Sequence, residues 1–163
     1  MRRGTVRIAR TVLAILGLLN VGTGGWALIS PGSWYANYPG FGRHWLPSTG
    51  PFNEHLASDA GAGFLAVGVA LLIAAVWMAR PVVQLALVTQ LAQALPHFVF
   101  HITHPDNALA TADVLVGVWG IAAQSAVAVA LFVAVSRPAQ RHVVADQRSR
   151  HDDRSDGTAG PAG

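Results

Sequence analysis

The sequence predicts an all-α protein: a four-helix transmembrane bundle with a long aromatic, glycine- and proline-rich external loop between its first and second helices. Three observations carry that prediction. Hydrophobic residues make up 52% of the 163 and charged ones only 12%, a balance too apolar for an ordinary soluble domain. Four apolar runs follow one another, each near the roughly 20 residues that cross a ~30 Å hydrocarbon core. The basic residues are all arginine, and they collect on one side of those runs.

The first run, about residues 11–30, follows Arg2, Arg3, Arg7 and Arg10. A positive amino end before an apolar run also begins a secretory signal, but this run is long enough to span, lacks a small-x-small cleavage site and meets Pro31 at its end. It reads as a first transmembrane helix. Residues 31–53 interleave Gly32, Pro39, Gly40, Gly42, Pro47, Gly50 and Pro51 with Trp34, Tyr35, Tyr38, Phe41, Trp45 and Phe52. Gly and Pro punctuate loops, and Trp and Tyr favour the headgroup zone, so this stretch reads as a loop along the interface. An aromatic belt explains it without a ligand; a substrate-binding lid requires one.

A second helix is expected over about 54–79, with Asn53 or Ser48 as cap and Glu54 well placed in its first turn. Arg80-Pro81 then leaves room only for a tight turn into a third helix, about 82–103, with Pro81 where its missing N–H is not needed. Pro96 is expected to kink that helix one turn before its histidines. His104-Pro105-Asp106-Asn107 reads as a turn, and a fourth helix as about 110–135. Residues 1–135 therefore form the transmembrane domain. Residues 136–163, with almost nothing large and apolar after Val144, form a tail expected to be mostly disordered, its His142 and His151 solvated.

Orientation follows from the arginines. With the amino end inside, Arg2, Arg3, Arg7, Arg10, Arg80, Arg137, Arg141, Arg148, Arg150 and Arg154 are cytoplasmic and only Arg43 is external. Both termini are therefore expected in the cytoplasm; abundant Ala, Gly, Val and Arg without Lys fits a GC-rich bacterium, and the membrane is expected to be a bacterial inner membrane. The net charge of +3 and pI near 10.6 follow from this topology and call for no nucleic acid. Without cysteine there is no disulfide framework, thiolate nucleophile or iron–sulfur site.

The stretch from Gln90 to His104 stands out. Relative to Gln90, the polar residues Gln93, His97, His101 and His104 fall at offsets of 3, 7, 11 and 14, which return to one face of a helix. The residues around them are as apolar as lipid, so this stripe must face protein or a water-filled cavity. Comparable rows exist elsewhere. The fourth helix has Asp113, Gly117, Gly120 and Gln124; the second has His55, Asp59, Gly63 and Ala66 with Glu54 beside them; the first has Gly17, Asn20 and Gly24. Small and polar residues are what close-packed membrane helices place at their contacts. By depth, Glu54, His55, Asp59, His97, His101, His104 and Asp113 fall toward the outer side, and Gln90, Gln93, Gln124 and Asn20 form a deeper polar interior.

Several chemistries fit that outer cluster. A hydrogen-bonded clamp tying helix ends together is the simplest. His97 and His101 at i and i+4 also suit one metal ion, with His104, His55, Asp59, Glu54 or Asp113 completing a nitrogen and oxygen shell for Zn or Fe. The same groups suit proton transfer or a polar lipid headgroup. Haem ligation by His97 or His101 is disfavoured by crowding. The function classes are accordingly an accessory or binding subunit, a metal-dependent membrane oxidoreductase or hydrolase using Glu54 or Asp59 as base, or a purely structural subunit. Membrane lipids, other subunits of a membrane complex or further copies of the chain are the expected partners.

The arginine-led amino end, four helices, aromatic first external loop, short hairpin between helices two and three, and the Asp59-Ala-Gly-Ala-Gly63-Phe-Leu-Ala-Val-Gly68 run resemble the DoxX-like small bacterial membrane proteins. The resemblance covers about Arg7 to Val135 and implies an accessory of a membrane redox system; it transfers no catalytic residue. The row His97, His101, His104 is also similar to one histidine box of the membrane desaturases. Those enzymes need several boxes on the cytoplasmic side, whereas this chain has one, on the outer side.

Overall fold

The computed structural model describes residues 3–105 and 108–137. Asp106 of the expected turn and the tail with His142 and His151 lie outside the described residues. Four long helices, α1 (Arg3–Ile29), α3 (Glu54–Trp77), α4 (Arg80–Thr103) and α5 (Thr111–Ser136), are each long and apolar enough to cross a membrane. Most of their surface faces outward and is apolar: Ile8, Leu18, Ile29, Val76, Trp77, Leu85 and Trp119 are all exposed. Lipid tails solvate such a surface where water would not.

Local chemistry sets the boundaries. α1 begins at Arg3 rather than near Thr11, because arginine is a good helix former and apolarity marks only the lipid-facing part. The Asn53 side chain caps α3, accepting the Leu56 N–H at 3.1 Å. α3 ends on Met78, which turns left-handed at φ 51° and donates its N–H to the Ala74 carbonyl. Pro81 stands in the first turn of α4, and α4 stays helical through Pro96.

Residues 31–53 are more structured than a loop. Pro31 restarts the chain as a short helix, α2 (Pro31–Asn37). Strands β1 (Pro39–Gly40) and β2 (Arg43–His44) then pair antiparallel around Phe41 and Gly42, both with positive φ, and one 3₁₀ turn (Leu46–Thr49) leads toward α3. This capping segment sits over one end of the bundle, the loop end; the other is the termini end.

α1 and α3 make the closest helix contact. A Cβ on Gly24 would stand 2.5 Å from the Leu65 amide nitrogen, and one on Gly68 would stand 2.6 Å from that of Val21, so the backbones themselves touch. The small residues used on α3 are Gly61 and Gly68. The alternative row is not: Gly63 has open space beside it and Ala66 is exposed. α4 packs on α3, and α5 on α4. The main core lies in the termini half, built from Leu13 and Leu16 of α1, Val67 and Leu71 of α3, Val83 and Leu87 of α4, and Ala128 and Val135 of α5.

Candidate functional site

Toward the loop end the inward faces of α3, α4 and α5 no longer meet. They line a cavity of about 840 Å³. The polar stripe on α4 supplies one wall: Gln93, His97, His101 and His104 all border it, with Ala94 and Phe100 between them. From α5 come Asp113, Gly117 and Gln124 of the expected row, joined by Val114, Val118 and Ile121; α3 adds Ala60, Gly63 and Phe64. These continue the faces that are packed in the other half. On α4 the buried Val83, Leu87 and Gln90 lead up to His97 and His101 with the same helical period.

Beneath the cavity a ladder of amides joins three helices. Asn20 of α1 donates through Nδ2 to Oε1 of Gln90 at 3.1 Å, and Gln90 donates through Nε2 to Oε1 of Gln124 at 3.2 Å. Asn20 Nδ2 also reaches the Leu16 carbonyl at 2.8 Å. Gln90 is wholly buried, so each of these bonds replaces one that lipid could not supply. Three of the four residues read as a polar interior form this ladder. The fourth, Gln93, faces the cavity and has no hydrogen-bond partner among the described residues.

Above the ladder, one imidazole of the His97–His101 pair donates to the other, Nε2 to Nε2, at 2.9 Å, with ring centroids 4.8 Å apart. His104 turns differently. It stacks on Phe100 at 4.6 Å, and its Nδ1 lies 3.2 Å from the Phe100 carbonyl and 2.9 Å from the Thr103 hydroxyl. Asp113, in the first turn of α5, forms an ion pair with Arg43 of β2. The cap is fixed a second time by Trp45, whose ring packs over Gly117 of α5 at 3.4 Å from where a Cβ would stand. Trp34, Tyr38 and Leu46 complete the roof. The indole N–H groups of Trp34 and Trp45 are buried without an acceptor among the described residues, and burial pushes the Tyr38 phenol up.

The remaining expected residues stand elsewhere. His55 and Asp59 face each other at 3.4 Å but are 85% and 65% exposed, and Glu54 is exposed as well. None of the three borders the cavity, because the inward face of α3 runs through Ala60, Gly63 and Phe64, and Asp59 is turned away from it. Among the described residues, no group of three or more His, Asp or Glu is placed to hold one metal ion. His97 and His101 are brought together as a pair, with His104 and Asp113 on the same cavity.

Sequence reasoning offered a covering aromatic segment only as the lid that would need a ligand. Trp34, Tyr38 and Trp45 read as an interfacial belt, and Arg43 entered only as a topological exception. A signal for its register was present, since a lone guanidinium between two helices and a carboxylate at the start of a third are natural partners. No family model matches the chain, and comparison with curated proteins and with solved structures finds no significant match.

Proposed function

We propose that this is a multi-pass binding protein of the bacterial inner membrane, with both termini cytoplasmic and the cavity in the extracytoplasmic half. Its cavity holds a small amphipathic molecule whose polar head rests on His97, His101 and Gln93. The observation that carries this is the cavity itself: about 840 Å³, within the roughly 300–1,000 Å³ range of ligand pockets, mostly apolar, with a few convergent polar groups. The arginine distribution supports the orientation. An accessory role, in keeping with the DoxX-like resemblance, fits better than catalysis, because Glu54 and Asp59, the carboxylates a hydrolytic or oxidative reading would use as base, stand outside the cavity.

A metal is the second reading, and one distance favours it. Two imidazole nitrogens each about 2.0–2.1 Å from one ion lie roughly 3.3 Å apart at a tetrahedral angle and roughly 2.9 Å at a right angle, so the His97–His101 Nε2 separation of 2.9 Å suits an octahedral ion such as iron better than tetrahedral zinc. The ligand or water would then complete the shell.

One preparation tests both. Detergent-purified protein, its organic extract resolved by mass spectrometry and its metal content measured, is compared with Gly63→Leu, which sets a branched side chain into the open cavity wall, and with His97→Ala/His101→Ala. A small molecule enriched in the wild type and lost in Gly63→Leu supports the binding reading. Stoichiometric metal lost only with the histidines supports the second. An extract that does not differ between wild type and Gly63→Leu, with no metal, removes both.

A further inference from the structure

Resting on the cavity reading above, we propose that the occupant is an uncharged single-chain amphiphile with a hydroxyl or carbonyl head, admitted from the bilayer through the gap between α3 and α5.

The head follows from the charges at the cavity. Among the described residues its one carboxylate, Asp113, is paired with Arg43; of its imidazoles, one of the His97–His101 pair donates to the other and His104 Nδ1 lies against the Phe100 carbonyl and the Thr103 hydroxyl; α3 contributes no ionisable group. What remains for a ligand is hydrogen bonding. Gln93 has no protein partner among the described residues, and Gln124, whose Oε1 accepts from Gln90, keeps its NH₂ donors. An ionic head would bring an uncompensated charge into apolar surroundings, whereas a hydroxyl or carbonyl needs only the one or two bonds these amides offer. The body of the ligand meets Phe64, Phe100, Val114, Val118 and Ile121. The volume leaves room for one chain and a small head rather than a two-chain lipid.

The route follows from the walls. The cap lies over the loop end and is tied to α5 twice, through Arg43 to Asp113 and Trp45 over Gly117. No residue of α1 lines the cavity, and α5 packs on α4 rather than on α3. Between α3 and α5, therefore, no helix closes the wall. Gly63 borders the cavity there, with open space where a side chain would stand. A gap between two membrane-crossing helices faces acyl chains, which is where a single-chain amphiphile resides.

The test uses protein in phosphatidylcholine nanodiscs and two probes of equal chain length, ω-bromododecanol and ω-bromododecanoate, at neutral pH. Bromine quenches the tryptophans of the cavity. The alcohol is expected to quench saturably and the carboxylate to bind at least about tenfold more weakly. Gln93→Leu should weaken the alcohol about tenfold, the loss of one or two hydrogen bonds. Gly63→Leu should abolish saturable quenching with an unchanged circular dichroism spectrum, and Arg43→Gln should leave the alcohol's association rate unaltered. Equal or tighter carboxylate binding overturns the uncharged head while leaving the cavity reading intact. A rate raised about tenfold or more by Arg43→Gln moves the route to the cap and overturns the lateral one. Saturable quenching that survives Gly63→Leu places the probe elsewhere and overturns the assignment. No saturable quenching by either probe overturns the proposal; the extract experiment then decides separately whether the cavity binds anything.

Discussion

The two halves of this bundle use the same four helices to opposite ends. At the termini end, Leu13, Leu71, Leu87 and Val83 interlock and are essentially inaccessible. At the loop end, the same faces of α3, α4 and α5 carry Ala60, Gly63, Gln93, His97 and Gly117 and enclose a cavity instead. The difference lies in side-chain size and polarity, not in helix geometry, since the helices run unbroken through both halves. Leucines and valines fill the space between the axes below. Glycine, alanine and short polar groups leave it open above, and an aromatic cap closes it. A membrane bundle has no hydrophobic drive to collapse such a space, because lipid is as apolar as leucine, so packing and a few interhelical hydrogen bonds hold the helices together, and packing is concentrated at one end.

If that contrast is real, the same kind of substitution should be ruinous in one half and silent in the other. Gly68→Val drives a side chain into the Val21 amide and the Gly17 carbonyl, backbone atoms that cannot swing aside. It should cost about 3 kcal/mol or more and broaden or abolish the monodisperse peak in gel filtration. Gly63→Leu, only five residues earlier on α3, enters open space and should leave thermal unfolding near the wild-type midpoint. Comparable losses from both would mean the cavity half is as tightly packed as the core.

The next largest effect belongs to the boundary between the halves. Gln90→Leu leaves Asn20 with only the Leu16 carbonyl as acceptor and Gln124 without its donor, around a position that is wholly buried. We expect a loss of about 1–2 kcal/mol in denaturant unfolding, largely recovered when Asn20→Leu and Gln124→Leu are added. Failure of the triple variant to recover would mean the ladder contributes more than its own satisfaction.

Much of this was legible in the residues. Four apolar runs with a tight Arg80-Pro81 turn, the Asn53 cap and the shared face of Gln90, Gln93, His97 and His101 all follow from periods and propensities that act locally. The choice between rows of small residues on α3 did not. Gly61 with Gly68 and Gly63 with Ala66 lie on neighbouring faces, and only the complementary Gly17 and Gly24 of α1, a partner found in three dimensions, decide which row is buried. For the same reason Asn20 reaches α4 while the glycines on either side of it meet α3. The roof was harder to place, because its register rests on contacts across more than sixty residues, Arg43 to Asp113 and Trp45 to Gly117.

The cap is held by little energy and should behave so. Arg43→Gln removes a partly exposed ion pair, with Arg43 46% and Asp113 20% accessible. Such a pair stabilises by at most about 1 kcal/mol. The expected signature is a small drop in unfolding midpoint with faster proteolysis between residues 38 and 50, and no change in protection of α1 or α3. A large global loss would show that the cap, rather than the termini half, organises the bundle.

The smallest effect is expected where the sequence placed part of the site and the structure does not. His55 and Asp59 lie on the first turns of α3, mostly exposed and away from the cavity wall. An exposed i, i+4 pair contributes about 0.5 kcal/mol or less, so His55→Ala and Asp59→Asn should leave stability within that margin. Ligand retention and metal content should stay at wild-type values in both, whereas His97→Ala alters whichever of the two the cavity holds. If Asp59→Asn instead removes a bound ion or ligand, α3 must rotate in the membrane to bring Asp59 inward. The row His55, Asp59, Gly63 would then replace Ala60 and Phe64 as the cavity face, and the open half of the bundle would be one state of a moving helix rather than a fixed chamber.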